Sequence, residues 1–261
     1  MRSPIFRRAK AFALAVAALL SLPDAAHAQS IHVIISGGFT AAYRELLPAF
    51  TRATHIEVTT SSGASVGDGP NTIGGQLRRG VAADVVILSR EGLSELVADG
   101  WIAPGTDVDL ARSLIGVVVR AGAPRPDISS VEAFKQALVH AQSVAMTTST
   151  SGVYLTKTLF PKLGIADEMA GKINTSGSAA VGRGEAELGI QQISELLPLA
   201  GVDFVGRIPE AIQYVTIYAA AVVAGSKNID AGKALVAFLA SADADPAIVK
   251  SGMEPARTVK R

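Results

Sequence analysis

The sequence predicts an α/β protein, and three observations carry that prediction. Short runs rich in valine and isoleucine alternate with longer stretches whose apolar residues recur at helical spacing. Glycines follow several of those stretches, where a helix wants a closing residue. No internal repeat or low-complexity linker interrupts the 261 residues, so two lobes, if present, are joined by strands and not by a flexible tether.

Residues 31–35 (IHVII) read as a buried strand ending in Ser36-Gly37-Gly38. Residues 40–53 form an amphipathic helix with Ala42, Leu46, Ala49, Phe50 and Ala53 on one face, bent at Pro48. A strand at 56–60 precedes a polar, glycine-rich stretch from 61 to 69, and a helix at 72–79 is closed by Gly80. The strand at 84–88 (DVVIL) leads into a helix at 91–99 closed by Gly100. A long apolar strand, 114–120, is broken by Ala123-Pro124-Arg125-Pro126, and a helix at 130–140 takes its N-cap from Ser129 or Ser130. The remaining elements are strands at 143–146, 187–190 and 214–223, with helices at 153–163 and 230–240. Strands alternating with helices argue for parallel sheets.

Composition excludes several classes of function. Twenty-four basic and 23 acidic side chains give a net charge of +1, which is unlike a polybasic nucleic-acid binder or an acidic disordered tail. With no cysteine there is no disulfide framework, thiolate zinc site, iron–sulfur cluster or cysteine nucleophile. The four histidines are scattered, with no carboxylate cluster beside them, so no metal and no cofactor are expected. At the N-terminus Arg2, Arg7, Arg8 and Lys10 precede an apolar run and the small-x-small site Ala26-His27-Ala28. Residues 1–28 therefore read as a cleaved secretory signal, and the mature chain is expected outside the cytoplasm.

Three strand ends share one character: Ser36-Gly37-Gly38-Phe39-Thr40, Ser61-Ser62-Gly63 and Thr147-Thr148-Ser149-Thr150-Ser151-Gly152. Each offers hydroxyls and unobstructed backbone amides where an open α/β sheet binds ligands. Such loops suit an anion held by neutral donors, although the same residues also serve ordinary capping. Arg90 and Arg183 stand near strand ends and could grip a carboxylate, or they are solvated surface residues. Gln191 and Gln192 follow the strand at 187–190, and Tyr154 opens its helix. Gly63-Ala64-Ser65-Val66-Gly67 matches a hydrolase nucleophile elbow, but Asp68-Gly69-Pro70 breaks the helix that an elbow requires.

The chain resembles the periplasmic molybdate-binding protein family, the solute receptors of ABC importers. The resemblance runs in order through IHVIISGGFTAAYRELLPAFTRAT, GGQLRRGVAADVVILSREGLSELVADGWI, ARSLIGVVVRAGAPRP, VGRGEAELGI and AAAVVAGSKNIDAGKALVAFLAS. It implies a two-lobed type II periplasmic-binding-protein fold, each lobe a mixed sheet flanked by helices, with a ligand cleft between lobes. By this resemblance residues 29–113 and 216–261 form the first lobe and 114–215 the second. The implied ligand-binding residues are Ser36, Gly37, Gly38, Phe39, Ser62, Gly63, Arg90, Ser149, Ser151, Gly152, Tyr154, Gln191 and Gln192.

Three departures bear on the ligand. The family's first loop usually reads Ala-Ala-Ser-Leu where this chain has Ser36-Gly37-Gly38-Phe39, and Gln191 replaces the family's second-lobe tyrosine. The stretch 61–71 is also longer than usual. Extra room and amide groups point to a larger, flatter anion than a tetrahedral oxyanion. A branch of the family that includes aconitate isomerase carries SGGF, SGVYL and QQ-x-SELLP, as does this chain at Ser36–Phe39, Ser151–Leu155 and Gln191–Pro198. Two expectations follow from the resemblance. The first is a periplasmic receptor capturing a small anion, more an organic di- or tricarboxylate than molybdate, for an ABC importer permease. The second is a cofactor-independent isomerase working by allylic proton transfer, with Tyr154 and Glu195 as candidate bases.

Overall fold

The computed structural model describes residues 29–67 and 69–258, so the expected export signal lies outside the described residues. Eleven strands are described: β1 (Ser30–Ile35), β2 (Glu57–Ser62), β3 (Val85–Ser89), β4 (Val108–Ser113), β5 (Ile115–Arg120), β6 (Val144–Ala145), β7 (Ile173–Asn174), β8 (Leu188–Gln192), β9 (Val202–Arg207), β10 (Thr216–Val222) and β11 (Glu254–Pro255). They form two sheets, of order β11-β4-β10-β3-β1-β2 and β7-β6-β8-β5-β9. Only Leu114 separates β4 in the first sheet from β5 in the second, and the chain returns between Arg207 and Thr216. The tether is thus a pair of short crossings that bring strand ends of both sheets face to face.

The sheets are mixed, which corrects the parallel pairing that alternation suggested. β1 pairs in parallel with β2 and β3, but β10 runs antiparallel to β3 and β4. In the second sheet β6 is parallel to β7 and β8, while β5 is antiparallel to β8 and β9. The antiparallel members are the strands at the crossings, which enter each sheet from its far end. The sequence reading also missed β4 and β9. Asp109 and Arg112 give β4 a polar outward face, and β9 is a partly exposed edge, so neither shows the apolar run of a buried strand.

Two helices position the site. The helix Thr40–Thr54 buries Ala42, Tyr43, Leu46 and Phe50 against the first sheet. It runs on through Pro48, which is exposed, so the carbonyl one turn back can be hydrated. In the second half the helix begins at Thr150, three residues earlier than expected. It continues through a wide turn at Leu155–Leu159 into Phe160–Leu163, the widening falling just before Pro161, which has no amide hydrogen to donate.

Candidate functional site

The strand-end loops of the two sheets enclose a cavity of about 290 Å³. At about 30 Å³ per water that is room for roughly ten waters, more than a tetrahedral oxyanion fills. From the first sheet come Ser36, Gly37, Gly38, Ala64, Ser65 and Tyr218; from the second come residues 147–151, Thr175, Ser176, Gln192 and Glu195. The two halves touch here, where the Ser65 amide donates to Ser149 Oγ at 3.3 Å. No lysine, arginine or histidine lines the cavity.

Hydroxyls and helix ends replace cations. The helix Thr40–Thr54 starts just beyond Gly37 and Gly38, and the helix from Thr150 starts on the opposite wall. First-turn amides have no partner within their helix, and the dipole favours an anion there. Three buried side-chain oxygens lack a hydrogen-bond partner among the described residues: Ser36 Oγ, Thr150 Oγ1 and Gln192 Oε1. All three residues line this cavity. Buried polar groups are normally paired, so a polar ligand is the natural partner.

Glu195 is the one ionisable carboxyl on the lining. It sits in the one-turn helix Ile193–Leu196 at the end of β8, and only part of its surface is reached by solvent. Desolvation by the surrounding protein pushes its pKa up to about 7, with a hydrogen bond from the Gln191 side chain pulling partly back. Gln191 is itself oriented by the Ser178 amide, which donates to its Oε1 at 3.0 Å. On the other side Gly37 makes room: a β-carbon there would lie 2.3 Å from Glu195 Oε1.

Of the residues implied by the sequence, the structure brings Ser36, Gly37, Gly38, Ser149, Ser151, Gln192 and Glu195 to the cavity. It places the others elsewhere, each for a visible reason. Arg90 is held by Asp107 (2.7 Å) and Asp109, so its guanidinium is neutralised away from the cleft. The Tyr154 hydroxyl donates to the Ile212 carbonyl at 2.8 Å while its ring stacks on Tyr214 at 4.7 Å, which removes it as a base in this cavity. Phe39 is fully buried in the first sheet's core. Ser62 is exposed, its carbonyl accepting from Gln76 Nε2, and the Gly63 amide donates to the Ile35 carbonyl. Gly152 supports the second loop: a β-carbon would lie 1.7 Å from the Thr147 carbonyl oxygen. Gln191 stands behind Glu195 and not on the lining.

Sequence reasoning missed Ala64, Ser65, Thr175, Ser176 and Tyr218. Thr175-Ser176-Gly177 is a strand-end loop of the kind already recognised, but two-residue β7 before it gave no signal. Ser65, the middle of the elbow-like motif, accepts from the Ser89 amide at 2.9 Å and acts as a clip between strand ends. Among the described residues no group of three or more histidine, aspartate or glutamate side chains is placed to hold a metal ion.

The family described as bacterial extracellular solute-binding protein matches residues 31–254. The chain belongs to that family. It is similar to an aconitate isomerase from Pseudomonas sp, 42% identical over 257 residues that span 96% of this chain and 98% of the relative. Among solved structures it resembles a periplasmic molybdate-binding protein of Azotobacter vinelandii (TM-score 0.66, 18% identity, 85% of this chain and 98% of that one). It also resembles the sulfate-binding protein SubI of Mycobacterium tuberculosis H37Rv (TM-score 0.67, 20% identity, 87% of each chain). These two likenesses show the two-lobed binding-protein fold, and the cavity is lined by loops of both sheets.

Proposed function

We propose that this protein is a periplasmic, cofactor-independent isomerase that interconverts cis- and trans-aconitate by allylic proton transfer. The observation that carries the reading is Glu195, a carboxyl raised to about 7 on the wall of a cavity without cations. A simple anion trap has no use for a carboxylate at its centre, since like charge repels the ligand. A group that titrates near neutral pH, in contrast, both takes and returns a proton. The likeness to an aconitate isomerase along almost the whole chain supports the substrate.

The reaction needs no redox chemistry. Ionised Glu195 takes a proton from the substrate methylene. The C–H electron pair then spreads over the allylic carbons and into the adjoining carboxylates. Glu195 returns the proton to the former vinyl carbon, and the double bond now begins at the former methylene. Its geometry is that of the rotamer in which the methylene–carbon bond was held, so the protein sets the isomer by gripping the carboxylates. Ser36, Ser149, Thr150, Ser151 and the two helix starts are placed for that grip. The lobes are read as 29–113 with 216–261, and 114–215, with export by cleavage after Ala28.

A second reading, delivery of the same anion to an ABC importer, is favoured by family membership. Incubating the mature protein with trans-aconitate, without added cofactor, and following products by chromatography separates the two. Conversion toward a cis/trans equilibrium is the result expected, whereas tight binding with unchanged ligand would favour the receptor.

Gly37→Ala probes the geometry. Its new methyl group meets Glu195 Oε1 and forces the carboxyl to move. Displacement of a reacting group by about 1 Å costs up to about 100-fold in rate, and overpacking costs about 1–3 kcal/mol of stability. Steady-state kinetics and thermal unfolding of the variant should therefore show a rate loss well above tenfold in a protein that still folds.

A further inference from the structure

Resting on the isomerase reading, we infer that Tyr218 is a second catalytic residue, whose phenol donates a hydrogen bond to the charge that develops on the substrate while Glu195 holds the proton. The two groups meet the same loop at adjacent residues. Glu195 Oε1 abuts Gly37, and the Tyr218 hydroxyl abuts Gly38, where a β-carbon would lie 1.8 Å from the oxygen. Both residues line the one cavity, and the charge of Glu195 acts on the phenol.

Tyr218 is set up for this task by its strand. It is the only aromatic residue of β10, where alanines follow it, and its ring is 3% exposed in the first sheet's core. The ladder to β4 slips by one residue between Tyr218 and Ala219, because Leu110 is left over between Asp109 and Ala111. Such a bulge re-aims the side chain beside it, and bulges recur next to active sites. Among the described residues the hydroxyl makes no hydrogen bond, and the residue lines the cavity, so its donor is free to meet a ligand there.

The chemistry suits a neutral donor. Burial, and the charges of Glu195 and Glu91, hold the phenol well above its ordinary pKa, so it stays protonated and can only donate. A donor aimed at developing charge in a site shielded from water acts more strongly on the transition state than on the bound ground state. The phenol keeps its proton throughout; the only proton that moves is the one carried by Glu195.

Tyr218→Phe tests the inference. Loss of one such donor lowers kcat by about 100- to 1,000-fold, with KM and the binding of tricarballylate, the saturated analogue, changed only a few-fold. Fluorotyrosine at position 218 supplies a second arm, because it keeps the shape and makes the hydroxyl more acidic. Its kcat should fall at a lower alkaline pH than that of the native protein. A Tyr218→Phe protein that binds tricarballylate and keeps kcat within threefold overturns the role of Tyr218, as does an alkaline limb that fluorination leaves unmoved. If the native protein itself fails to convert aconitate, the isomerase reading falls and this inference falls with it.

Discussion

Glu195→Gln is expected to lower kcat for aconitate isomerisation by about 100- to 10,000-fold, the usual worth of a positioned general base. The amide is nearly isosteric with the carboxyl and cannot take the methylene proton. It also removes a negative charge from a cavity that has no cation to offset it. Affinity for aconitate should therefore stay level or rise while turnover collapses, a split that kinetics and calorimetric titration together resolve. In the native protein the base must be ionised, so kcat/KM should fall about tenfold per pH unit below about 7 and level off above it. A receptor without chemistry shows neither behaviour.

The second large effect is on stability. Glu195 titrates near 7 in the folded protein and near about 4.3 in an unfolded chain. Below about 4.3 both states carry the proton and the group makes no difference. As pH rises, the unfolded chain ionises first, so the folded state loses ground until the folded carboxyl also ionises at about 7. At about 1.4 kcal/mol per unit the total loss approaches about 4 kcal/mol, of which roughly 3 kcal/mol falls between pH 5 and pH 8. For a chain of this size each kcal/mol moves Tm by about 2–4 °C. Thermal unfolding should therefore find Glu195→Gln gaining about 6–12 °C on the native protein between pH 5 and pH 8. A difference between the two proteins that stays constant with pH would count against burial as the cause.

Much of the fold was legible because it rests on apolar periodicity. β1, β3, β5 and the helix Thr40–Thr54 all bury residues at the spacing the sequence displays. β4 and β9 were not legible because edge and crossing strands carry charges outward, and parallel pairing was inferred from an alternation that the crossings interrupt. For the site, Ser36, Gly37, Gly38, Ser149 and Ser151 were readable as hydroxyl and glycine residues at strand ends. Arg90 misled because an arginine at a strand end looks like an anion grip, and only the fold brings Asp107 and Asp109 to it. Tyr218 was silent because an aromatic residue in an apolar strand reads as core, which most of this side chain is. Glu195 was not distinguishable from a helix-start carboxylate, since the desolvation that raises it comes from tertiary packing, with Gly37 of the first sheet's loop close against it.

Isomerisation by Glu195 requires that packing hold its carboxyl pKa near 7 in a cavity free of cations. Carbon-13 NMR titration of the glutamate carboxyls, with Glu195→Gln to assign the signal, measures it directly. An inflection at about 7 is the result expected; one in the ordinary range of about 4–5 would contradict the account.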